Sequence, residues 1–451
     1  MSAPTLTESD IRSGVLGLQE LFFSTTDRRG VIRQGNSVFA RVSGYSLEEL
    51  VGAPHNIVRH PDMPGGAFRL IWDRLQAGRA VGAYVRNQTK TGGSYWVYAT
   101  ISPLHDGYIS VRMVPDGPMF ALAKQIYAQA VEVEREAMRT HGAGRREAAL
   151  VGMRTIETLL QQHGFGSYDE FMLDTLPAEL SSKSHLLSLA HARPGAHGPV
   201  AEVLEGSRAL DRLLGDLIGR LAQYQNLSEE FARTSAHALE IAHRLDRSVQ
   251  DAQHASDVVA DSAPVLANVA RVMALPMHDA VNALERLQAS LGRLRSDVAE
   301  LRFKISLAGL YNHMAAAFAA EVVDGAAPAD ALSAVPLLCD ASRTGVLEMS
   351  AQVQQVNDAL HDIAALVREA AGLLGDFRRF LGQWRILVMR HRVGEAVRDK
   401  LQRIDAEIAA SWEWMQTLNS LGQEYESAVV PFDAELLQGH LARIQATLVA
   451  A

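Results

Sequence analysis

Between Val346 and Val388 an apolar residue recurs at alternating steps of three and four, through Met349, Val353, Val356, Leu360, Ile363, Val367, Ala370, Leu374, Phe377, Leu381 and Trp384. Six heptads without a skip align these side chains along one helix, and that helix must lay its stripe against others. Leu284, Leu287, Leu291, Leu294, Val298, Leu301 and Ile305 form a second seam of the same spacing. Gly325-Ala-Ala-Pro328 and Pro336 interrupt the pattern between the seams, so the two helices are expected to fold back as an antiparallel pair. An intramolecular bundle meets this requirement, and so does a homodimer that builds a four-helix bundle.

Helical character begins near Met119, where the chain turns rich in Ala, Leu, Gln, Arg and Glu. Phe120–Arg139 reads as a helix leaving the unit before it. Breaks follow at His141-Gly-Ala-Gly144, at Gly164-Phe-Gly166 and at Ala192-Arg-Pro-Gly-Ala-His-Gly-Pro199, the last with two prolines and two glycines that cannot continue a helix.

Upstream of Met113 the period is two. Leu21–Thr26 and Val31–Gln34 flank the turn Asp27-Arg-Arg-Gly30, and three more strands are expected at Val81–Gln88, Tyr95–Pro103 and Tyr108–Met113. Between these sets Asn36 can cap a short helix at Val38–Val42, which Gly44 ends. Ser46-Leu-Glu-Glu49 is a capping box for a second helix, and Ala67–Gln76 spaces Phe68, Ile71, Trp72 and Leu75 on one helical face. The expected fold is an α+β domain, a five-stranded antiparallel sheet with short helices around a small cavity, followed by a large all-α coiled-coil or helical-bundle region. Its divisions are a helical cap at 1–17, the sheet domain at 18–117, a helical connector at 118–191 and a linker at 192–199. Ascending helices at 200–323, a turn segment at 324–343, a descending coiled-coil helix at 344–428 and a C-terminal helix at 429–451 complete it.

Composition narrows the class. At 451 residues at least two structural units are needed, because a single core does not grow to that size. A net charge of -9 supplies no field to displace counterions from phosphates, so nucleic acid is not an expected partner. The single cysteine, Cys339, excludes disulfide frameworks and cysteine-clustered metal sites within one chain. The start MSAPTLTESDIRSGVLGL lacks a basic lead and apolar core, and no apolar window reaches the length of a membrane span. The expected location is the cytoplasm, without a membrane span.

Three strings are more specific: TTDRRGVIRQGNSVFARVSGYSLEEL (25–50), GAPHNIVRHPDMPGGAF (52–68) and KTGGSYWVYATISPL (90–104). In order and spacing they resemble the PAS sensory domain of bacterial aerotaxis receptors, over residues 18–117. The resemblance implies a cavity holding FAD, whose redox form reports oxygen or electron-transport state. The family's flavin-binding positions match Arg59, His60 and Asp62, with Asn36, Trp72 and Tyr95 also at family-like positions. Asn87 is added as a residue through which a change of flavin charge would be felt. An isoalloxazine ring takes an aromatic wall and a few directed donors, and a diphosphate takes a cation, here Arg59. His60 and Asp62 have a second reading as turn and cap chemistry. Val81 stands where the family has its second tryptophan, which points to a roomier pocket, weaker flavin binding or a different ligand. Haem is the alternative ligand, with His55 and His60 as axial groups. A cysteinyl-flavin adduct is set aside because no cysteine lies in this domain.

Aerotaxis receptors end in a helical rod whose glutamate- and asparagine-rich tip docks an adaptor and a kinase. That tip is absent: residues 303–318 read FKISLAGLYNHMAAAF, followed by the Gly/Pro-bearing segment. Coupling to a chemotaxis kinase therefore does not follow from the resemblance. Kinase boxes, a diguanylate-cyclase string and a Walker loop are missing, so no enzyme is expected. His243 and His254 read as surface residues of helices, and Trp384, Trp412 and Trp414 as packing anchors. The expected function is redox or oxygen sensing, passed through a dimeric helical region to a protein partner. The alternative is a scaffold or dimerisation protein whose pocket is empty or otherwise occupied.

Overall fold

The computed structural model describes residues 16–140, 142–258, 260, 263–392 and 429–449, with isolated positions between 402 and 425. Nearly all of the helical cap expected at 1–17, together with Trp412 and Trp414, lies outside the described residues. The chain divides into two compact units. One comprises Met1–Ile218, Ala299–Ser350 and Phe432–Ala451, and the other Gly219–Val298 and Ala351–Pro431.

The first unit is built on a sheet of β1 (Phe22–Asp27), β2 (Ile32–Gly35), β3 (Val81–Gln88), β4 (Ser94–Leu104) and β5 (Gly107–Met113), in the order β2-β1-β5-β4-β3. Every neighbouring pair is antiparallel. The five expected strands are thus present, as are the helices between them: α1 (Ser37–Ser43), α2 (Leu47–Leu50), a 3-10 turn at His55–Val58, and α3 (Gly65–Gln76). Asn36 caps α1 by accepting from the Phe39 amide, and Gly44 ends it at φ 74°, a left-handed conformation that costs glycine little. Ser46 and Glu49 form the reciprocal capping box of α2.

Four helices follow: α4 (Phe120–Thr140), α5 (Arg145–Gln162), α6 (Tyr168–Ser181) and α7 (Ser184–Ala190). Contrary to expectation, the helix beginning at Phe120 does not leave the sheet domain. Buried Glu134 on α4 accepts the otherwise orphaned N–H groups of Gly65 and Gly66, each at 2.8 Å, and so caps α3 from outside. The backbones of α3 and α5 touch at Gly66 and Gly152. A Cβ on Gly66 would lie 2.2 Å from the Met153 nitrogen, and one on Gly152 would lie 1.9 Å from Glu134 Oε1. The α4–α5 hairpin is therefore seated against α3 by a carboxylate and two glycines.

The opposite face of the sheet is also covered. From α6, Glu179 accepts the Tyr84 hydroxyl at 2.9 Å, and Thr175 shares a 2.8 Å hydrogen bond with Tyr98. The long helices are α8 (Pro199–Val258), α9 (Pro264–Val323) and α10 (Val335–Arg390), with α11 (Ala434–Val449) last. The Tyr311 hydroxyl of α9 donates to Ser102 Oγ at 2.6 Å, and Phe318 packs edge-on to Phe23 at 5.2 Å. The stretch 303–318, which occupies the place of a receptor tip in the sequence, is therefore packed on the sheet. The expected turn between α9 and α10 is present, with a 3-10 segment at Ala329–Ala334.

In the second unit the segments of α8, α9 and α10 pack together. Trp384 is fully buried, and its indole N–H donates to Ser256 Oγ at 3.1 Å, so it is a packing anchor as expected. Gln253 of α8 donates to the Ala270 carbonyl of α9 at 3.3 Å. Leu284 to Val298, and Val353 to Val388, keep every seam residue buried within this one chain. Helices of the same chain close the seams, so a second copy is not needed to cover them. Leu360 is 1% exposed, and Leu360→Asp is expected to destabilise this unit by about 3–5 kcal/mol through an unpaired buried charge. Calorimetric melting reads this, and an unchanged transition would place the residue on the surface. Among the described residues no helix is long and apolar enough to cross a membrane.

Candidate functional site

Short helices on one face of a sheet do not fill the space above it with side chains alone. A cavity of about 960 Å³ remains between the sheet and α3, extended by α4 and α5. That volume is in the range of small-molecule sites, about 300–1,000 Å³. The period of two brings Ser24 and Thr26 of β1, Val85 and Asn87 of β3, Ala99 and Ile101 of β4, and Ser110 and Arg112 of β5 to its floor. Helix α3 supplies an apolar wall of Phe68, Ile71, Trp72 and Leu75, with Trp72 edge-on to Tyr108 at 5.4 Å.

Arg112 dominates the electrostatics of this floor. It is only 5% exposed, donates to Ser24 Oγ at 2.9 Å, and lies 4.7 Å over the Phe22 ring. No carboxylate pairs with it among the described residues, and burial brings its pKa down to about 10. An unpaired guanidinium taken from water costs several kcal/mol. An acceptor on a ligand would offset that cost. Asn87 is 3% exposed, and its amide nitrogen has no hydrogen-bond partner. His55 stacks on Phe39, with Nε2 3.3 Å from Ser24 Oγ. Burial and repulsion by Arg112 hold its pKa well below that of a free imidazole, so the ring is neutral near pH 7.

Of the positions that sequence resemblance selects, Arg59, His60 and Trp72 border the cavity, and so does Asn87, the residue added to them. Arg59 donates to the Met63 carbonyl at 2.8 Å and lies 4.3 Å over Phe68, and burial lowers its pKa. His60 Nδ1 accepts the Asp62 amide at 3.0 Å, which realises its reading as a turn residue. Asp62 points elsewhere, pairing with Arg135 at 2.5 Å and Arg86 at 3.4 Å. Asn36 is placed away from the cavity lining: its Oδ1 accepts from Phe23 and Phe39, and its Nδ2 donates to the Leu21 carbonyl. Its side chain is consumed by holding β1 to α1. Tyr95 pairs across the strands with Asn87 but does not border the cavity; its buried hydroxyl stands close to the Asn87 side chain without a formed hydrogen bond, and burial pushes its pKa up to about 12. Val81 is fully buried at the start of β3 and does not border the cavity either.

Sequence reading missed Arg112. The signal was available in β5, where alternation puts Tyr108, Ser110 and Arg112 on one face, so an arginine was bound for the side that the helices enclose. Among the described residues no group of three or more His, Cys, Asp or Glu side chains is placed to hold a metal ion.

A sheet of this order, with short helices over an enclosed cavity, defines a sensory domain class, and residues 34–111 match the model of the PAS fold. The N-terminal domain is a PAS domain. It is related to that of the aerotaxis receptor of Escherichia coli (strain K12), 40% identical over 123 residues that make up 26% of this chain and 24% of that protein. The biofilm dispersion protein BdlA of Pseudomonas aeruginosa is 30% identical over 87 residues, 18% of this chain and 20% of that protein. The chain thus spans about a quarter and a fifth of the curated relatives it matches, and its C-terminal helical region is not matched. Among solved structures, the PAS domain of a protein from Colwellia psychrerythraea is 21% identical, covering 21% of this chain and 86% of that one with a TM-score of 0.19. The light state of the blue-light photoreceptor Aureochrome1 LOV is 17% identical, covering 24% and 90% with a TM-score of 0.22.

Proposed function

We propose that this protein is a cytoplasmic, non-enzymatic redox or oxygen sensor whose PAS cavity binds a flavin, FAD, and whose helical region passes the flavin's state to a protein partner. One observation carries the reading: a buried guanidinium without a carboxylate, Arg112, and a buried amide nitrogen without an acceptor, Asn87, face an aromatic-walled cavity of a domain related to an aerotaxis receptor's. A flavin ring offers carbonyl oxygens and ring nitrogens along one edge and a flat face to Trp72 and Phe68. When bound, it supplies electron-accepting chemistry. The chain's own residues bind and orient it, and Arg112 favours whichever form carries more negative charge. Haem suits this cavity less well, because Asn87 and Arg112 present hydrogen-bond donors, and His55 Nε2 already stands 3.3 Å from Ser24 Oγ. His60 Nδ1 is engaged by the Asp62 amide.

Strand β4 provides the route outward. Ala99 and Ile101 border the cavity, while Ser102, next in the chain, holds Tyr311 of α9 on the other face. A shift of β4 therefore reaches a long helix through one hydrogen bond, in addition to the route through Pro115-Asp-Gly-Pro118 into α4.

The purified protein is expected to carry flavin absorbance, at one flavin per chain. Hydrogen exchange of residues 303–323 and 120–140 should then differ between the oxidised and the anaerobically reduced protein. A protein that stays colourless under saturating FAD overturns flavin binding and leaves the scaffold reading. Exchange differences confined to the cavity overturn the transmission.

A further inference from the structure

Arginines crowd the mouth of the cavity in a way that its apolar walls do not explain. Arg145 and Arg146 of α5 both border the cavity and are exposed, and among the described residues neither has an ionic or hydrogen-bonded partner. They occupy the first turn of an 18-residue helix, where the free N–H groups already carry partial positive charge and basic side chains are disfavoured. The N-cap is Gly144, which has no side chain to satisfy those N–H groups. Arg59 stands close enough to be repelled by Arg145. Glu134, which also borders the cavity, attracts Arg59, but both its oxygens accept the amides of Gly65 and Gly66, and Glu147 in the same first turn pairs with neither arginine. Three guanidiniums and a helix N-terminus converge there, and the carboxylate beside them, Glu134, is already engaged by two backbone amides.

A second, independent observation comes from the sheet side of the same cavity. Asn87 and Arg112 are both more than nine-tenths buried and aimed into it, one amide nitrogen without a partner and one guanidinium without a carboxylate. The cavity thus presents donors from the sheet and cations from the hairpin, with an aromatic wall between them. A ligand with a polar ring edge and an anionic tail would satisfy both.

We infer that the α4–α5 hairpin, which lies beyond the stretch matching the PAS model, completes the cavity as a subsite for the phosphate groups of its ligand, with Arg145 and Arg146 as the cations beside Arg59. This rests on the flavin reading above and deepens it: the hairpin selects a dinucleotide flavin over the free ring. The seating of α5 through Gly66, Gly152 and Glu134 holds the two arginines at the mouth.

The test titrates ligand-free, full-length protein with riboflavin, FMN, FAD and ADP, read by flavin fluorescence and calorimetry. FAD is expected to bind about tenfold or more tightly than riboflavin, as charge-assisted contacts to a phosphate predict. The double variant Arg145→Ala, Arg146→Ala changes exposed positions only. It should lose that preference while riboflavin affinity stays within about twofold, and the paired lysine substitutions should retain most of it. A double variant that keeps the preference overturns the subsite. Should neither riboflavin nor FAD bind, the flavin reading fails and ADP decides: binding lost in the double variant sustains the phosphate subsite. ADP that binds both proteins equally, or neither, overturns it.

Discussion

Arg112→Met is expected to leave the ligand-free protein as stable as the parent or more stable, by about 1–3 kcal/mol, while flavin affinity falls about tenfold to a hundredfold. The two effects share one cause. In the free protein the guanidinium is buried with a single hydroxyl, Ser24, and an aromatic face, Phe22, as compensation. A methionine of similar length fills the same space without the desolvation cost. In the bound protein that guanidinium is the strongest donor the cavity floor offers, and nothing replaces it. Thermal unfolding of the ligand-free protein and a flavin titration read the two halves separately. A variant that is destabilised yet binds flavin as tightly as the parent would make Arg112 a structural tie to Ser24 and remove it from the site.

Glu179→Ala is expected to lower the stability of the first unit by about 3–5 kcal/mol, the loss seen when one member of a buried charged network is removed. The Glu179 carboxylate is fully buried and accepts from the Tyr84 hydroxyl at 2.9 Å, the Asp116 and Gly117 amides at 3.0 and 2.9 Å, and Lys183 Nζ at 3.0 Å. Lys183 is 1% exposed and would keep only Asp116 as its anionic partner. The same network ties β3, one residue from cavity-lining Val85, to the connection between β5 and α4. The variant should therefore also raise hydrogen exchange at 114–120 in the folded protein. An unchanged denaturation midpoint would show that water or a neighbouring side chain takes over the four hydrogen bonds.

Much of the candidate site was legible because its elements are local. Alternation placed Asn87 on a strand and the 3.6-residue period placed Trp72 on a helix, and both border the cavity. Asn36 lies off the lining for a reason the sequence also contained. An asparagine at an N-cap has its acceptor committed to the helix, and here Asn36 additionally bonds β1 on both sides. Asp62 does not border the cavity itself: its carboxylate is committed to Arg86 and to Arg135, which does, and both partners come from elsewhere in the chain.

The heptad stripes present the same division. Their spacing announced long helices with buried seams, and every seam residue is buried. Whether a second copy or the same chain covers a seam is not written in the spacing, since one apolar stripe accepts either partner.

The sequence by itself therefore determined the elements: five strands, capped short helices, a Gly/Pro turn and two long seams, each set by interactions within a few residues. Only the tertiary structure decided what those elements enclose. Glu134 reaches back 68 residues to cap α3 and fold the hairpin over the cavity, and Tyr311 crosses 209 residues to seat α9 on β4. Arg112 became a buried cation without a carboxylate because, among the described residues, no distant segment brought one to it. Contacts of this kind depend on where the whole chain runs, and local periodicity carries no record of that.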